Sequence, residues 1–409
     1  MSYAVSIIIP VFNQWHLTCD CLVSLQKTIL RSDIEIIVVD NGSSDATMSQ
    51  CPKLGTHLFG QRFTYIRNEE NRNFGPACNQ GARQASAKYL FFLNNDTIAK
   101  KGWLEPLLES MGKDDRLGAV SPLLVYPDSE RVQHLGVTFA PGGTVKHLYE
   151  YFPKDHPVVY QERELQAITG AAFFIDRGEF LRCGSFFEGY ANGFEDLDLC
   201  FELRAHGKTL RCIPESCFVH LTSQTPGRFD CDTVNAALLS RRHGHDLYPD
   251  LHVLVRNDGF CLNLTSWLMH YATLPKERRS TLEKEAHGMD SDALTALLHK
   301  EPLWEDGYER LARLREQQGD HAAANQLRWL RVRLCPSEKA YFLLQKSSQR
   351  CHDDLLYDYA KNFLAFLAKN KDKHQRTKMI SRARSLQAWA RAHDESGLVT
   401  LYEQWLGTQ

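Results

Sequence analysis

Val5-Ser6-Ile7-Ile8-Ile9-Pro10 reads as a strand buried on both faces: apolar and β-branched apart from Ser6, and ended by the proline. Working outward, residues 15–30 carry Leu17, Cys21, Leu22, Leu25 and Ile29 at helical spacing. Residues 34–39 are a second buried strand, closed by Asp40-Asn41-Gly42-Ser43. Residues 63–66 are a third strand, 76–87 a helix of small residues, and 89–93 a fourth strand ending at Asn94-Asn95-Asp96. Alternation of this kind predicts an α/β fold with a mostly parallel sheet and helices on both faces. In such sheets ligands bind beyond the carboxyl ends of the strands. Phe12-Asn13, Asp40-Asn41 and Asn94-Asn95-Asp96 all fall there. One polar cluster after a strand is ordinary turn chemistry; three in register point to a site.

The 409 residues, 43% hydrophobic and 24% charged, are enough for two or three packed domains of about 150 residues. The net charge of −2 gives no global basic field, so nucleic acid is not indicated. A local exception is the run Lys369, Lys371, Lys373, Arg376, Lys378, Arg382 and Arg384. It reads as a solvated helix face or as a patch for anionic lipid or an acidic acceptor. The twelve cysteines form no paired C-x-x-C metal motif and fit a reducing compartment. With no basic leader and no apolar stretch of about 18 residues, the expected location is cytoplasmic, at most peripheral at the inner face of the membrane.

Residues 118–175 are mixed, with turn signals at Pro122, Pro127, Pro141-Gly142-Gly143 and Pro153. Beyond about 275, patterns rich in Leu, Ala, Arg and Glu predict helices. Residues 305–338 loosely fit a 34-residue helix-turn-helix repeat through Tyr308, Leu311, Ala312, Gly319, Ala324 and Pro336. The expected organisation is 1–260 catalytic, 261–300 a helical linker, and 301–409 a tetratricopeptide-like helical domain.

Ser6-Ile-Ile-Ile-Pro-Val-Phe-Asn13, Val38-Val-Asp-Asn-Gly-Ser-Ser-Asp45, Asn71-Arg-Asn-Phe-Gly-Pro-Ala-Cys-Asn79, Leu93-Asn-Asn-Asp-Thr97, Thr169-Gly-Ala-Ala172, Gly193-Phe-Glu-Asp-Leu-Asp-Leu199 and His220 occur in that order. The string resembles the family-2 inverting glycosyltransferases of the GT-A fold, in their bacterial rhamnosyltransferase-like branch, over residues 1 to about 225. The resemblance implies transfer of a sugar from a UDP- or dTDP-linked donor to a glycan, lipid-linked or protein acceptor, in surface polysaccharide or protein glycosylation. Pro10, Phe12, Asn13, Asp40, Asn79, Asn94, Asn95 and Gly170 are the implied donor-binding residues. Asp96 and His220 are the implied ligands of Mn²⁺ or Mg²⁺, although Asn94-Asn95-Asp96 offers one carboxylate where the family's motif offers two.

Inversion needs one general base to take the acceptor's proton, through an oxocarbenium-like transition state. Asp196 matches the family's base, and Glu195 would orient it or bind acceptor. Acidic residues here also suit a helix N-terminus, as Asp198 does. Phe186, Phe187 and Tyr190 offer either a sugar platform or core. The helical domain could bind a protein partner or a second copy. A non-catalytic nucleotide-sugar-binding scaffold is the alternative reading; a dinucleotide-dependent dehydrogenase fails because residues 10–13 lack G-x-G-x-x-G.

Overall fold

A computed structural model of the chain describes residues 3–221 and 231–409. The chain divides into two units, Met1–Thr138 with Val145–Glu150 and Val159–Tyr248, and Phe139–Thr144 with Tyr151–Val158 and Pro249–Gln409.

The first unit begins with β1 (Val5–Val11), α1 (Trp15–Thr28), β2 (Ile34–Asp40), α2 (Thr47–Phe59), β3 (Phe63–Arg67), α3 (Phe74–Gln84) and β4 (Tyr89–Leu93). It continues through β5 (Thr97–Ala99), α4 (Leu104–Lys113), β6 (Leu117–Val125) and β7 (Val132–His134); the residues of the short strands β8 (Val137–Ala140) and β9 (Thr144–His147) are divided between the two units. The site is completed by β10 (Ala172–Asp176), α5 (Arg177–Arg182), α6 (Glu195–Ala205), β11 (Thr209–His220) and α7 (Asp232–His243). The main sheet has the order β3-β2-β1-β4-β10-β6-β11-β5, with β7 on β6. Strands β1 to β4 run parallel, β10 is antiparallel between β4 and β6, and β11 is parallel to β6.

The strand expected to stop at Pro10 continues to Val11. The reason is register. β2 pairs with β1 along its whole length, but β4 pairs only as far as Ile8. The missing proline N–H therefore removes no ladder bond on the β4 side. Successive β1 side chains serve opposite faces. Ile7 and Ile9 join Leu22 and Leu25 of α1 in one core. Ile8 faces α3, where a Cβ on Gly81 would stand 2.5 Å from the Ile8 side chain, so only glycine permits that approach.

The second unit contains α8 (Leu251–Asn257), the hairpin β12 (Cys261–Leu264) and β13 (His270–Thr273), α9 (Lys276–Glu285), α10 (Ser291–Lys300), α11 (Glu305–Gln317), α12 (His321–Leu334), α13 (Glu338–Arg350), α14 (Asp354–Asn370), α15 (Lys373–Ala392) and α16 (Ser396–Gly407). Residues 261–273, read from sequence as helical linker, are thus a hairpin; Leu262 and Leu264 pack against the cluster of Leu386, Ala390, Leu398 and Tyr402. Helices α11 and α12 are joined by Arg328, nearly buried, which bonds Glu309 and Glu316. No helix among the described residues is long and apolar enough to cross a membrane.

Candidate active site

A cavity of about 390 Å³ opens at the carboxyl ends of β1 and β4. Nine of the sequence-predicted residues line it: Pro10, Phe12, Asn94, Asn95, Asp96, Gly170, Glu195, Asp196 and His220. Asn13, Asp40 and Asn79 do not. Asn13 accepts from Ser44 N–H through Oδ1 (2.8 Å), while its own N–H donates to Ser43 Oγ (2.7 Å), stapling two strand-end loops. Asp40 is fully buried and accepts from Ser43 N–H (2.8 Å) and Tyr65 OH (2.5 Å). Asn79 is spent on Phe186, accepting from its N–H (3.0 Å) and donating to its carbonyl (2.8 Å). The polar side chains of these three shape the crevice by bonding protein.

One end of the cavity holds Asp96 and His220, brought together by pairing of β5 with the end of β11. His220 Nε2 lies 3.2 Å from Asp96 Oδ1, and neither atom has a hydrogen-bond partner among the described residues. Gln133 explains the arrangement. Its Nε2 donates to the His220 carbonyl (3.0 Å), so its Oε1 faces His220 Nδ1 at 2.6 Å and accepts that proton. The Nε2 lone pair and the carboxylate oxygen then stand side by side in the cavity without a hydrogen bond between them. Two acceptors at this distance repel unless a cation or a proton stands between them, and oxygen plus imidazole is a donor set suited to a divalent transition metal. The residues present therefore fit a metal ion.

Asp196 stands in the first turn of α6. Its Oδ2 accepts from Gly170 N–H (2.6 Å) and its Oδ1 from Leu197 N–H (2.9 Å). Both oxygens keep lone pairs for another donor. Glu195, buried, accepts from Gly193 N–H (2.7 Å). The preceding loop takes positive φ at Asn192, Gly193 and Phe194 in succession, a strained run of the kind that clusters at functional sites. Asn235 of α7, buried, secures it by accepting from Ala191 N–H and donating to the carbonyls of Ala191 and Gly193.

Asp198, read as a helix-start residue, is the buried centre of a further network. It accepts from Tyr190 OH (2.9 Å) and Arg242 (2.5 and 3.1 Å) and faces His243 Nε2 at 2.9 Å. Asp198, Glu202 and His243 form the one metal-compatible group of three among the described residues. The Arg242 guanidinium already supplies the positive charge there, so this is an ionic lock. Tyr190 and Phe186 are core: Phe186 is 1% exposed and packs on Phe92, Phe173 and Phe180. They offer no platform to a sugar.

Sequence reasoning missed further lining residues, Tyr126, Gln133, His134, His147 and Glu150. Tyr126 OH donates to Glu150 (2.5 Å). Thr169 N–H donates to His134 Nε2 (3.4 Å), which leaves the proton on Nδ1, directed at His147 Nδ1 2.9 Å away. Burial, with the neighbouring His147 adding to it, pushes the His134 pKa well below its ordinary value. These residues lie in the turn-rich stretch 118–175, where no periodicity assigns partners.

The chain is 28% identical over 222 residues to the O-antigen biosynthesis protein RfbC of Myxococcus xanthus, covering 53% of this chain and 17% of that protein. It is 24% identical over 317 residues to validoxylamine A glucosyltransferase of Streptomyces hygroscopicus subsp. jinggangensis, covering 70% and 72%. A solved structure, GalNAc-T7 with UDP, GalNAc and Mn²⁺, aligns at 19% identity and TM-score 0.46 over 54% of this chain and 44% of that one. The chain spans only 25%, 46% and 17% of the length of three of the curated relatives that it matches. Residues 6–181 match the family described as Glycosyl transferase family 2.

Proposed function

We propose that the first unit is an inverting, metal-assisted glycosyltransferase acting on a UDP- or dTDP-hexose and the hydroxyl of a glycan, lipid-linked or protein acceptor. The observation that carries this reading is that one cavity holds, as separate groups, Asp96 Oδ1 beside His220 Nε2, neither hydrogen-bonded among the described residues, and the doubly anchored carboxylate of Asp196. A nucleotide binder has no need of the second. The match to residues 6–181 supports the donor half; Glu195, Asp196 and His220 lie beyond it and are assigned by geometry and by their motifs.

Pro10, Phe12, Asn94 and Asn95 form the donor side of the crevice. Asp96 and His220 would hold Mn²⁺ or Mg²⁺, which supplies Lewis-acid stabilisation of the departing diphosphate. The Gly170 and Leu197 N–H groups hold Asp196, whose remaining lone pairs accept the acceptor hydroxyl's proton as that oxygen attacks the anomeric carbon. Glu195 keeps the 192–194 loop in its strained form. The helical segment 301–409, tetratricopeptide-like in its α11–α12 pair, serves acceptor or partner capture in synthesis of surface polysaccharide or glycoprotein.

The test is donor turnover by the full chain with UDP- and dTDP-hexoses and Mn²⁺. Release of nucleotide that fails in Asp196→Asn supports the reading. Tight donor binding without turnover, across acceptors, overturns it in favour of a binding module.

A further inference from the structure

The tip of the α14–α15 hairpin carries charge that the fold does not use. Residues 361–382 hold seven Lys and Arg against one acidic residue, Asp372, in a chain whose net charge is −2. Lys371 pairs with Glu338 (2.8 Å). Lys369, Lys373, Arg376 and Lys378 are exposed and make no ion pair among the described residues. Nor are they there to pack. Of residues 361–382 only Leu367 is buried, and α15 is anchored through Ala383, Leu386, Gln387 and Ala390 further along.

Lys369 suits the last turn of α14, but two of the others do not suit their helix. Lys373 and Arg376 occupy the start of α15, whose first turn contains no acidic residue. That is the positive end of the helix dipole, where a cation is disfavoured. The Asp372 side chain caps this helix by accepting from His374 N–H, and Lys373 and Arg376 add nothing to that cap.

We propose that this hairpin tip docks on an anionic lipid surface. Five of the seven cations are lysines, compact charges on flexible stems. Those at the tip, Lys371 apart, are not pre-positioned by hydrogen bonds, which suits the smeared charge of a headgroup plane rather than one bidentate ligand. Phe366, 50% exposed, stands one turn from Lys369 on the same helix and rests on Phe363, with ring centroids 5.8 Å apart. An apolar ring beside cations is the pattern of an interfacial helix. This inference is independent of the activity assigned to the first unit.

The experiment is co-sedimentation of the full chain with vesicles of phosphatidylcholine alone or mixed with phosphatidylglycerol. Binding is expected to the mixed vesicles only. It should be lost between about 0.1 M and about 1 M salt, as screening shortens from roughly 10 to roughly 3 Å. The variant Lys369→Glu/Lys373→Glu/Arg376→Glu/Lys378→Glu should bind at least ~100-fold more weakly. Glutamate in the first turn favours α15, and the corresponding glutamine variant should also lose binding, so neither result reduces to misfolding. Equal binding to both vesicle types, unchanged binding by the variants, or capture of a duplex oligonucleotide with the vesicles ignored overturns the proposal.

Discussion

His220 Nε2 lies 3.2 Å from Asp96 Oδ1 with no hydrogen bond between them, while the other ring nitrogen meets Gln133 Oε1 at 2.6 Å, which directs the imidazole proton to that side. Gln133→Leu removes that direction. Mn²⁺ affinity, measured by titration calorimetry on the full chain, should fall about 10–100-fold, the usual cost of a lost outer-sphere partner. Asp96→Ala should abolish metal-dependent donor binding. Affinity unchanged in both variants would remove the metal from this position.

Asp196→Asn should cut turnover by about 100-fold or more while donor affinity stays near that of the parent. Glu195→Gln should cost less, because that residue holds the loop rather than the proton. A larger loss of single-turnover rate in Glu195→Gln than in Asp196→Asn would mean that the two roles are exchanged.

Gly170 shows how closely the base is held. A Cβ there would stand 3.1 Å from Asp196 Cβ and 3.3 Å from Oδ2. Gly170→Ala should therefore push the carboxylate by a few tenths of an ångström and lower kcat, by less than the about 100-fold of a 1 Å misplacement. The near-ultraviolet circular dichroism should stay close to that of the parent. Full activity would show that Asp196 tolerates movement.

Asn235→Ala leaves an N–H and two carbonyls of the 191–193 loop without their side-chain partner. Each unsatisfied buried group costs about 1–3 kcal/mol, so the urea midpoint should drop measurably. Acceptor KM should rise more than donor KM. Unchanged KM for both would make α7 a structural support only.

His134 supplies a pH dependence. Its folded pKa lies below the unfolded value of about 6.5, so the folded chain stays neutral where the unfolded chain takes up a proton. Its contribution is present in full above about 6.5 and is lost as pH falls, by up to roughly 1.4 kcal/mol per pH unit. His134→Gln should flatten the decline in urea midpoint between pH 7.5 and 5.5, about one unit to either side of that unfolded value. An unaltered slope would assign the pH dependence to other groups.

Local pattern in the chain determined the layered α/β half and the helices behind it. Buried strands and amphipathic helices announce themselves through short-range periodicity, and residues 89–93 form a strand as read. Nine of the twelve expected site residues line one cavity; Pro10, Phe12, Asn94, Asn95 and Asp96 do so because the ends of parallel strands converge on one edge. Sequence could not separate Asn13, Asp40 and Asn79 from them, because a polar residue after a strand looks alike whether it bonds ligand or protein. Only tertiary structure decided that these three hold protein, that Asp198 is locked to Arg242 from 44 residues away, and that Gln133 sets the proton on His220 across 87. Such partners meet through strand pairing and loop closure over long separations, and no local periodicity carries that information.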